Sequence, residues 1–436
     1  MILLTTPSQS PLIGELTPPG DKSISHRALI FSSLAQGESQ IEGLLIAEDV
    51  TATANACRQL GALIDLEGGH TRVRGTGDNG LKAPGRALDM GNSGTAMRLL
   101  AGVLSAQPFK SELIGDESLS RRPMRRIVYP LSRMGARIET SPGGTAPLCI
   151  DGNPGLRGIE YHLPVASAQI KSCLLLSGLY ATGRTCVIEP QKSRDHTERM
   201  LPVFGVELEP PCCVTGGSKL TAAHVNVPAD ISSAAFFLAG AAIVPGSDIL
   251  VRNVGLNPTR DGILRVLQAM GADVEVGNHR VFGTEPVGDI RVCYSRSMEG
   301  ITIPEEWVPS LIDELPVIMA MAAVTSGTTR IRGATELRIK ESDRLSVMAQ
   351  GLTGLGVQLQ EYEDGIDITG GVVQGGEADG AGDHRCAMSF AILGQVANGP
   401  VLVRGARQIS TSYPEFAEHL LALGGNVKVK AVSPPV

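Results

Sequence analysis

The chain has 436 residues, more than one hydrophobic core usually organises, so its length predicts two domains of roughly 200 residues each. A net charge of −7 and an aromatic content of 3% exclude the broad basic surface and the stacking platforms that nucleic-acid-binding proteins need. The N-terminus has no basic segment ahead of an apolar run, and no apolar stretch of about 18 residues follows, so we expect a cytoplasmic protein.

The first predicted helix begins within the segment PGDKSISHR at residues 19–27, which precedes the apolar run ALIFSSLA. We expect Ser23 or Ser25 to cap this helix, whose exposed N–H groups and positive dipole end attract anions. Lys22 and Arg27 add full charges. The segment is therefore a candidate anion site, although a solvated helix face that carries a Lys and an Arg would have the same sequence.

A later helix opens with GNSGTAMR at residues 91–98. This glycine-flanked turn offers amide and hydroxyl donors, so it predicts either a phosphate-binding loop or a plain capped helix. It lacks the GxxxxGK[ST] spacing of a nucleotide-binding loop, and no GxGxxG motif follows a strand. Nucleotide binding is therefore not indicated.

The segment GDESLSRRPMRR at residues 115–126 carries four arginines. If it is helical, Arg121 and Arg125, and also Arg122 and Arg126, lie at the repulsive i, i+4 spacing. We expect an anion to neutralise one of these pairs. It could be a ligand or one of the two acidic residues of the same segment.

Two acidic positions in the second half of the chain are candidates for proton transfer. Asp313, in LIDELP, precedes a buried-looking helix and could either cap that helix or act as a base. In ELRIKESDR at residues 336–344, a helix would put Lys340 and Arg344 on one face, flanking Glu341. Such a carboxylate can protonate carbon only if it stays partly protonated, which negatively charged substrate groups would promote. An ordinary salt-bridged surface helix is the alternative.

The last buried-looking helix opens at Asp383-His384-Arg385. Arg385 then lies at the positive end of the helix dipole, where a cation makes little electrostatic sense without an anion. No GxSxG motif is present, and no Cys lies beside a His in a basic loop. Acid–base and electrostatic catalysis therefore remain as mechanisms.

A phrase of the form apolar-Gly-Ala/Val-x-apolar-x-apolar occurs six times, with glycines at 61, 135, 205, 271, 356 and 424. A helix that ends in Gly and turns into an alternating strand explains each copy. The repeats predict six small units of sheet and helix, three in residues 19–227 and three in residues 228–436. We expect their helix N-termini to converge on a cleft that suits a multiply anionic ligand.

Eight cysteines are scattered along the chain without a CxxC pair or a Cys/His cluster at zinc-ligand spacing. The adjacent Cys212 and Cys213 cannot complete a tetrahedral zinc site by themselves. We expect most of the cysteines to be buried small hydrophobes, and we expect no metal site.

Eight motifs occur in one fixed order over essentially the whole chain: PGDKSISHRA, GNSGTAMR, SRRPM, ASAQ, SRDHTE, IDELP, RIKESDR and DHR. Together they resemble the 5-enolpyruvylshikimate-3-phosphate synthase family. The resemblance implies an α/β fold, a two-domain inside-out α/β barrel of six βαβαββ units. It also implies that residues 1–18 join residues 228–436 in the second domain, opposite a first domain of residues 19–227, with the active site in the cleft between them.

The family transfers the enolpyruvyl group of phosphoenolpyruvate to the 5-hydroxyl of shikimate 3-phosphate and then expels phosphate. By resemblance we expect no metal or organic cofactor, small-molecule substrates only, no nucleic-acid or membrane partner, and a monomer. Both substrates are polyanions, which would account for local cations in an acidic protein.

The resemblance also assigns site residues. Shikimate 3-phosphate would be held by Lys22, Ser23, Arg27, Ser167, Gln169, Arg194, Asp313 and Lys340. Phosphoenolpyruvate would be held by Lys22, Gly94, Arg122, Gln169, Arg344 and Arg385. Asp313 would take the proton of the attacking hydroxyl and Glu341 would protonate the methylene carbon, with Lys22 as a competing candidate for part of that proton traffic.

Three positions depart from the commoner family pattern. Thr411 stands where many members carry a Lys, which removes one expected contact to phosphoenolpyruvate. Ala168 and Arg194 both indicate the second class of the family, in which the Arg takes over part of the phosphate binding. That class includes members with Ala in place of Gly94, which shields them from glyphosate, so Gly94 here predicts room for glyphosate in the phosphoenolpyruvate site.

Two alternatives stay open on sequence. UDP-N-acetylglucosamine enolpyruvyl transferase has a similar fold but usually carries a catalytic Cys near the Arg-rich segment, whereas residues 107–135 contain no Cys. A catalytically silent anion-binding scaffold of the same fold is the other, and the intact Lys22, Asp313, Glu341 and Arg385 argue against it.

Overall fold

The computed structural model describes residues 1–66 and 70–430. The chain forms two compact units. Unit 1 consists of Met1–Pro19, Pro228–Val281 and the chain from Pro286 onward, and unit 2 consists of Gly20–Val227 with Phe282–Glu285. None of the helices in these described ranges is long and apolar enough to cross a bilayer.

The strands, in chain order, are β1 (Ile2–Thr5), β2 (Ile13–Leu16), β3 (Glu38–Glu42), β4 (Leu63–Asp65), β5 (His70–Arg74), β6 (Leu88–Asp89), β7 (Lys110–Ile114), β8 (Arg137–Glu139), β9 (Leu148–Asp151), β10 (Glu160–His162), β11 (Arg184–Ile188), β12 (Cys213–Thr215), β13 (His224–Asn226), β14 (Asp248–Gly255), β15 (Asp273–Phe282), β16 (Glu285–Cys293), β17 (Thr328–Ile331), β18 (Gln358–Tyr362), β19 (Gly365–Thr369), β20 (Gly376–Asp379), β21 (Val401–Arg404) and β22 (Val427–Lys430).

The α-helices are α1 (Lys22–Leu34), α2 (Glu48–Gln59), α3 (Gly94–Ser105), α4 (Arg125–Met134), α5 (Ala168–Gly178), α6 (His196–Val203), α7 (Ile231–Ile243), α8 (Gly262–Ala269), α9 (Val308–Leu311), α10 (Leu315–Ala322), α11 (Arg344–Gly354), α12 (His384–Leu393) and α13 (Phe416–Ala422).

Unit 2 contains three sheets, with strand orders β13-β3-β5-β4, β6-β7-β9-β8 and β10-β11-β12. Its core is one hydrophobic cluster built on α1, α3 and α5, which are buried along almost their whole length. Helices rich in Ala, Ser and Leu on every side can be surrounded by other elements in this way. The buried helices therefore carry their N-terminal residues on a rigid support.

Unit 1 repeats this plan with the sheets β20-β21-β1-β22, β15-β16-β14-β2 and β17-β19-β18. Its own hydrophobic cluster is built on α7, α10 and α12, and every residue of α7 is buried. The N-terminal strand β1 lies inside a sheet, paired antiparallel with both β21 and β22. The chain start is thus an integral part of this unit.

The four-residue segment Phe282–Glu285 is attached to unit 2 by polar contacts. Glu285 is 4% exposed, and its Oε1 lies 2.7 Å from Nδ1 of the buried His196 at the start of α6. One turn later, Arg199 donates to the Thr284 carbonyl at 2.8 Å. A segment far along the chain therefore completes unit 2.

The six repeated glycines, at 61, 135, 205, 271, 356 and 424, all have positive φ, between 81° and 107°. Each follows a helix, which confirms the predicted helix-to-glycine junction. The predicted strand follows in five copies, but residues 206–208 after Gly205 form no strand. Pro210 and Pro211 follow after one intervening residue, Glu209, and prolines cannot donate to a sheet ladder.

The cysteines follow the expectation only in part. Cys57, Cys173 and Cys386 are buried free thiols, as expected for small core residues. Cys186 and Cys213, however, face each other on β11 and β12 and form a disulfide, which the spacing did not predict. Cross-strand neighbours distant in sequence leave no spacing signal.

The positive φ of these junctions predicts a matched pair of stability effects in unit 1. A Cβ at Gly271 meets no atom closer than 3.7 Å, so Gly271→Ala adds backbone strain without a clash and lowers the free energy of unfolding by about 1–2 kcal/mol. Gly277, in β15, has open space and no positive φ, so Gly277→Ala leaves stability unchanged or slightly raised. Denaturant midpoints measure both, and equal midpoints for the two variants would contradict the strain argument.

Candidate active site

The first turn of α1 differs from the prediction. Asp21 caps the helix by accepting the Ile24 N–H at 2.8 Å, so the prediction that Ser23 or Ser25 caps it is wrong. Ser25 instead accepts the Leu45 N–H at 3.1 Å. An aspartate cap already compensates the helix dipole, so anion binding here depends on side-chain charge rather than on the helix end.

Lys22 and Arg27 provide that charge in different settings. The Lys22 ammonium forms an ion pair with Asp49, a carboxylate that is 3% exposed. The Arg27 guanidinium is 2% exposed and donates to the Thr197 hydroxyl at 2.8 Å, the Ser23 carbonyl at 2.9 Å and the Ser172 hydroxyl at 2.8 Å.

Arg27 is a buried cation held by neutral acceptors. In the part of the chain that the structure describes, no carboxylate lies within ion-pair distance of it. Burial lowers the pKa of Arg27 to about 10, against the opposing fields of Glu198 and Asp21, so the group stays charged at neutral pH. Arg194, half-buried ahead of α6, adds a second positive field at this site. An anionic ligand would supply the missing counter-charge.

The GNSG turn forms a loop at the start of α3, as predicted. Ser93 caps α3 by accepting the Ala96 N–H at 3.1 Å. Gly94 is the first helical residue, and a Cβ there would lie 2.7 Å from Nη1 of Arg98 and 3.3 Å from Nη1 of Arg122. Glycine is therefore what allows two guanidinium groups to approach this loop.

Among the four arginines of residues 115–126, Arg122 is the buried one, at 6% exposure. It donates to the Asn92 amide oxygen at 2.6 Å, and Asn92 in turn donates to Asp116 at 2.8 Å. Arg121 forms an exposed ion pair with Glu117. The predicted helical repulsion does not arise, because α4 begins only at Arg125.

The start of α5 brings the predicted Ser167 and Gln169 to the same region of unit 2. Ser167 caps α5, with the Ile170 N–H at 3.4 Å. Gln169 accepts from Arg98 Nη1 at 2.7 Å and donates to the Thr95 hydroxyl at 3.1 Å. Because Ser93 and Ser167 are neutral caps, the positive ends of α3 and α5 keep their attraction for anions.

Sequence reasoning missed Arg98, although it lies in the GNSGTAMR motif one helical turn after Gly94. Its guanidinium fixes Gln169 and also donates to the Pro123 carbonyl, next to Arg122, at 3.2 Å. We refer to Lys22, Arg27, Arg98, Arg122 and Arg194 as the basic cluster. Within this cluster Lys22 has an ion pair with Asp49, whereas the hydrogen bonds of Arg27 all go to neutral oxygens.

Lys171 is a second residue that sequence reasoning missed. Its ammonium is fully buried and binds Glu189 at 2.7 Å and also Glu198. Glu189 additionally accepts from the Ser193 hydroxyl, beside Arg194. Burial raises the pKa of Glu198, and Lys171 opposes that rise. The lysine therefore fastens α5 to the segment that carries Arg194.

In unit 1, Arg344 contacts three carboxylates. Its guanidinium, 1% exposed, binds Asp383 at 2.7 Å, Asp313 at 3.0 Å and also Glu341. Burial lowers the pKa of Arg344, but the fields of Asp383, Glu341 and Asp313 outweigh it and hold that pKa well above its ordinary value. This buried cation is thus saturated by the protein itself.

The predicted helix that carries Lys340 and Arg344 on one face is wrong. Residues 335–339 form a 3₁₀ helix and α11 begins at Arg344, because Asp343 caps α11 by accepting the Ser346 N–H at 3.0 Å. Glu341 nevertheless contacts Arg344, from the segment ahead of the helix.

Asp313 lies close to the two remaining predicted residues of unit 1, Lys340 and Arg385. The Lys340 ammonium and the Arg385 Nε each lie 3.9 Å from its Oδ1, and Arg385 Nη1 donates to its carbonyl at 3.2 Å. The N-cap position of α10 is Glu314, so Asp313 stands one residue ahead of it. We refer to Asp313, Lys340, Glu341, Arg344, Arg385 and Asp383 as the acid–base cluster.

Comparison with known proteins gives a consistent result. The family model for EPSP synthase (3-phosphoshikimate 1-carboxyvinyltransferase) matches residues 7–420. The 3-phosphoshikimate 1-carboxyvinyltransferase of Nitrosococcus oceani is 54% identical over 423 residues, 96% of this chain and 95% of that protein. The one from Coxiella burnetii is 50% identical over 429 residues, 97% of each chain.

Solved structures agree. The structure of EPSP synthase from Acinetobacter baumannii at 2.37 Å superposes with a TM-score of 0.88 at 46% identity, covering 99% of this chain and 100% of that one. This likeness confirms the predicted fold class. In residues 1–66 and 70–430, no three His, Cys, Asp or Glu side chains are grouped so that they could hold a metal ion.

The buried Lys171 predicts a stability effect that an exposed lysine of the same region does not share. Lys171→Met leaves two partly buried carboxylates without their common cation, and we expect it to lower the free energy of unfolding by about 3–5 kcal/mol. Adding Glu189→Gln and Glu198→Gln removes those charges and recovers part of the loss.

The control is Lys192→Met, which breaks an ion pair with Asp195 at 3.3 Å from a side chain that is 68% exposed. It changes the net charge equally but is expected to cost about 0–1 kcal/mol. Chemical denaturation of the variants measures the difference. Equal losses for Lys171→Met and Lys192→Met would show that the buried ion pairs contribute no more to the free energy of unfolding than the exposed one.

Proposed function

The chain belongs to the EPSP synthase family, and from that premise we propose that its basic cluster and its acid–base cluster act on the same pair of substrates. It transfers the enolpyruvyl group of phosphoenolpyruvate to shikimate 3-phosphate in the shikimate pathway. The observation that carries the assignment of residues is Arg27, a buried cation whose contacts are all neutral. A dianionic phosphate provides the charge that this site lacks.

We assign shikimate 3-phosphate to the residues around Arg27. Lys22, Ser23 and Arg27 lie on the first turns of α1, and Ser167 and Gln169 lie at the start of α5. The positive charge of Arg194 acts on Arg27. This supports the proposal that Arg194 takes over part of the phosphate binding, as in the second class of the family. Asp313 and Lys340 complete the proposed set, as the resemblance implies.

We assign phosphoenolpyruvate to the GNSG loop and its arginines. Gly94 leaves room beside Arg122, and Gln169 is fixed by Arg98 at that loop. Lys22 is shared between the two substrates, while Arg344 and Arg385 would bind from the acid–base cluster. Arg344 already holds three carboxylates, so the substrate carboxylate would share this guanidinium with Asp313 and Glu341.

We assign the proton transfers as the resemblance implies. Asp313 takes the proton of the 5-hydroxyl as its oxygen attacks carbon 2 of phosphoenolpyruvate, and Glu341 gives a proton to the methylene carbon. In the second step the methyl carbon returns that proton to Glu341, the bond between carbon 2 and the phosphate oxygen breaks, and the departing phosphate takes the proton held by Asp313. The carbon–carbon double bond and the starting state of both carboxyl groups are thereby restored. The negative charges of the substrate favour a protonated Glu341, and Lys22 is the competing proton carrier.

The departures from the commoner pattern enter this proposal as well. Thr411 is 5% exposed and its hydroxyl donates to the Gln408 carbonyl at 2.7 Å, so it replaces a lysine with a structural hydrogen bond.

We further propose that the protein acts in the cytoplasm as a monomer, without a nucleic-acid or membrane partner. Its net charge of −7 and low aromatic content support the part of this proposal that concerns nucleic acids.

The proton donor is tested by Glu341→Gln, which keeps the hydrogen-bonding shape and removes the acid. We expect the rate of phosphate release from phosphoenolpyruvate in the presence of shikimate 3-phosphate to fall on the order of 10²-fold or more. Glu377→Gln is the matched control, because Glu377 forms an exposed ion pair with Arg404 in the same unit. A full rate in Glu341→Gln would remove Glu341 from the mechanism. Release that requires UDP-N-acetylglucosamine instead would refute the substrate assignment.

The close approach of Arg98 and Arg122 to Gly94 predicts a specific effect on the binding of phosphoenolpyruvate, the smaller substrate. The methyl group of Gly94→Ala displaces the Arg98 guanidinium, so the KM for phosphoenolpyruvate should rise on the order of tenfold, about 1.4 kcal/mol. Inhibition by glyphosate should weaken at the same time, while the unmodified protein is inhibited. Gly85→Ala, at a position with no atom within 4 Å, is the control. Unchanged activity of the unmodified protein at high glyphosate excess would contradict the prediction.

A further inference from the structure

One buried side chain joins the two proposed substrate regions of unit 2. His26 lies on α1 between Lys22 and Arg27 and is fully buried. Its Nδ1 lies 2.8 Å from the Thr53 hydroxyl on α2, and its Nε2 lies 3.2 Å from the Ser93 hydroxyl that caps α3. A single imidazole thus connects three helices.

The neighbouring hydrogen bonds determine which nitrogen carries the proton. Thr53 donates its hydroxyl proton to the Asp49 carbonyl at 3.3 Å, so it accepts from His26 Nδ1–H. Ser93 accepts the Ala96 N–H at 3.1 Å, which leaves its own proton for His26 Nε2. One neutral tautomer satisfies every donor and acceptor of this chain of hydrogen bonds.

The surroundings keep the ring neutral. Burial lowers the pKa of His26 well below 6.5, and the charges of Lys22 and Arg27 lower it further, against a smaller opposing effect of Asp21. A doubly protonated ring would turn Nε2 into a donor and leave the Ser93 proton without this acceptor. The neutral ring therefore fixes the Ser93 hydroxyl in one orientation.

We propose that His26 is a positioning residue: through Ser93 it holds the loop at residues 91–94 in the geometry that binds phosphoenolpyruvate. This proposal rests on the proposed function of that loop. The other end of this chain of hydrogen bonds is the Asp49 carbonyl, and the Asp49 carboxylate pairs with Lys22. The chain of hydrogen bonds therefore couples the placement of the GNSG loop to the helix that carries the partner of Lys22.

Two amide replacements separate the two ends of the ring. The amide of His26→Gln reaches the position of Nε2 and can still accept from Ser93. The amide of His26→Asn reaches only the position of Nδ1, so it keeps Thr53 and loses Ser93. Ser33→Ala is the control, because it removes another buried hydroxyl of α1, which donates to the Leu29 carbonyl at 2.7 Å.

The first measurement is hydrogen exchange of the Ala96 amide in the substrate-free protein. We expect exchange to be faster in His26→Asn by on the order of tenfold, as for the loss of one buried hydrogen bond, and close to the unmodified rate in His26→Gln and Ser33→Ala. The second measurement is steady-state kinetics. The KM for phosphoenolpyruvate should rise on the order of tenfold in His26→Asn, with the KM for shikimate 3-phosphate nearly unchanged.

A double-mutant cycle provides the third measurement. If the effect passes through Ser93, the KM for phosphoenolpyruvate in His26→Asn with Ser93→Ala is no higher than in the worse single variant. Additive effects, or an equal rise in both KM values, overturn the positioning role. So does an unchanged Ala96 exchange rate in His26→Asn. Lack of phosphate release by the unmodified protein is instead a failure of the proposed function, and the exchange measurement still decides whether His26 fixes the loop.

Discussion

The burial of guanidinium groups is the constraint on which both units depend. A buried cation is tolerated only if the surrounding groups satisfy its hydrogen bonds and offset its charge. Arg344 receives three carboxylates, whereas Arg27 receives two hydroxyls and a carbonyl. Part of each set of partners is held by a buried central helix, since Ser172 lies on α5 and Asp383 caps α12.

This contrast separates two ways of binding an anion. In the proposed function, a ligand at Arg344 would compete with the three carboxylates that the protein already supplies there. A ligand at Arg27 would add charge to a site that has hydrogen bonds but, among the residues the structure describes, no carboxylate at ion-pair distance. The serine caps of α3 and α5 are neutral, so these helix ends also lack a compensating negative charge. The aspartate caps of α1 and α12 instead compensate the positive ends of those helices.

Local signals in the sequence were sufficient for the architecture but not for the connections within the site. The glycine junctions could be predicted because a left-handed residue after a helix leaves a short, repeated pattern, as at Gly61 and Gly356. Arg98 could not, because its partner Gln169 lies 71 residues away and only packing brings the two together. The choice between Asp21 and the two serines as the cap of α1 likewise depends on tertiary contacts, since the Ser25 hydroxyl accepts the Leu45 N–H.

The placement of β1 has a consequence for how the protein is made. Leu3 pairs with Val403, so β1 has partners that are synthesised about 400 residues after it. At roughly 5–20 residues per second, this strand waits about 20–80 s with both edges unpaired. Most of unit 2 emerges during that interval and can fold first, while unit 1 closes only after the last strands appear. Until β21 and β22 appear, both backbone edges of this four-residue strand stay open to pairing with other strands.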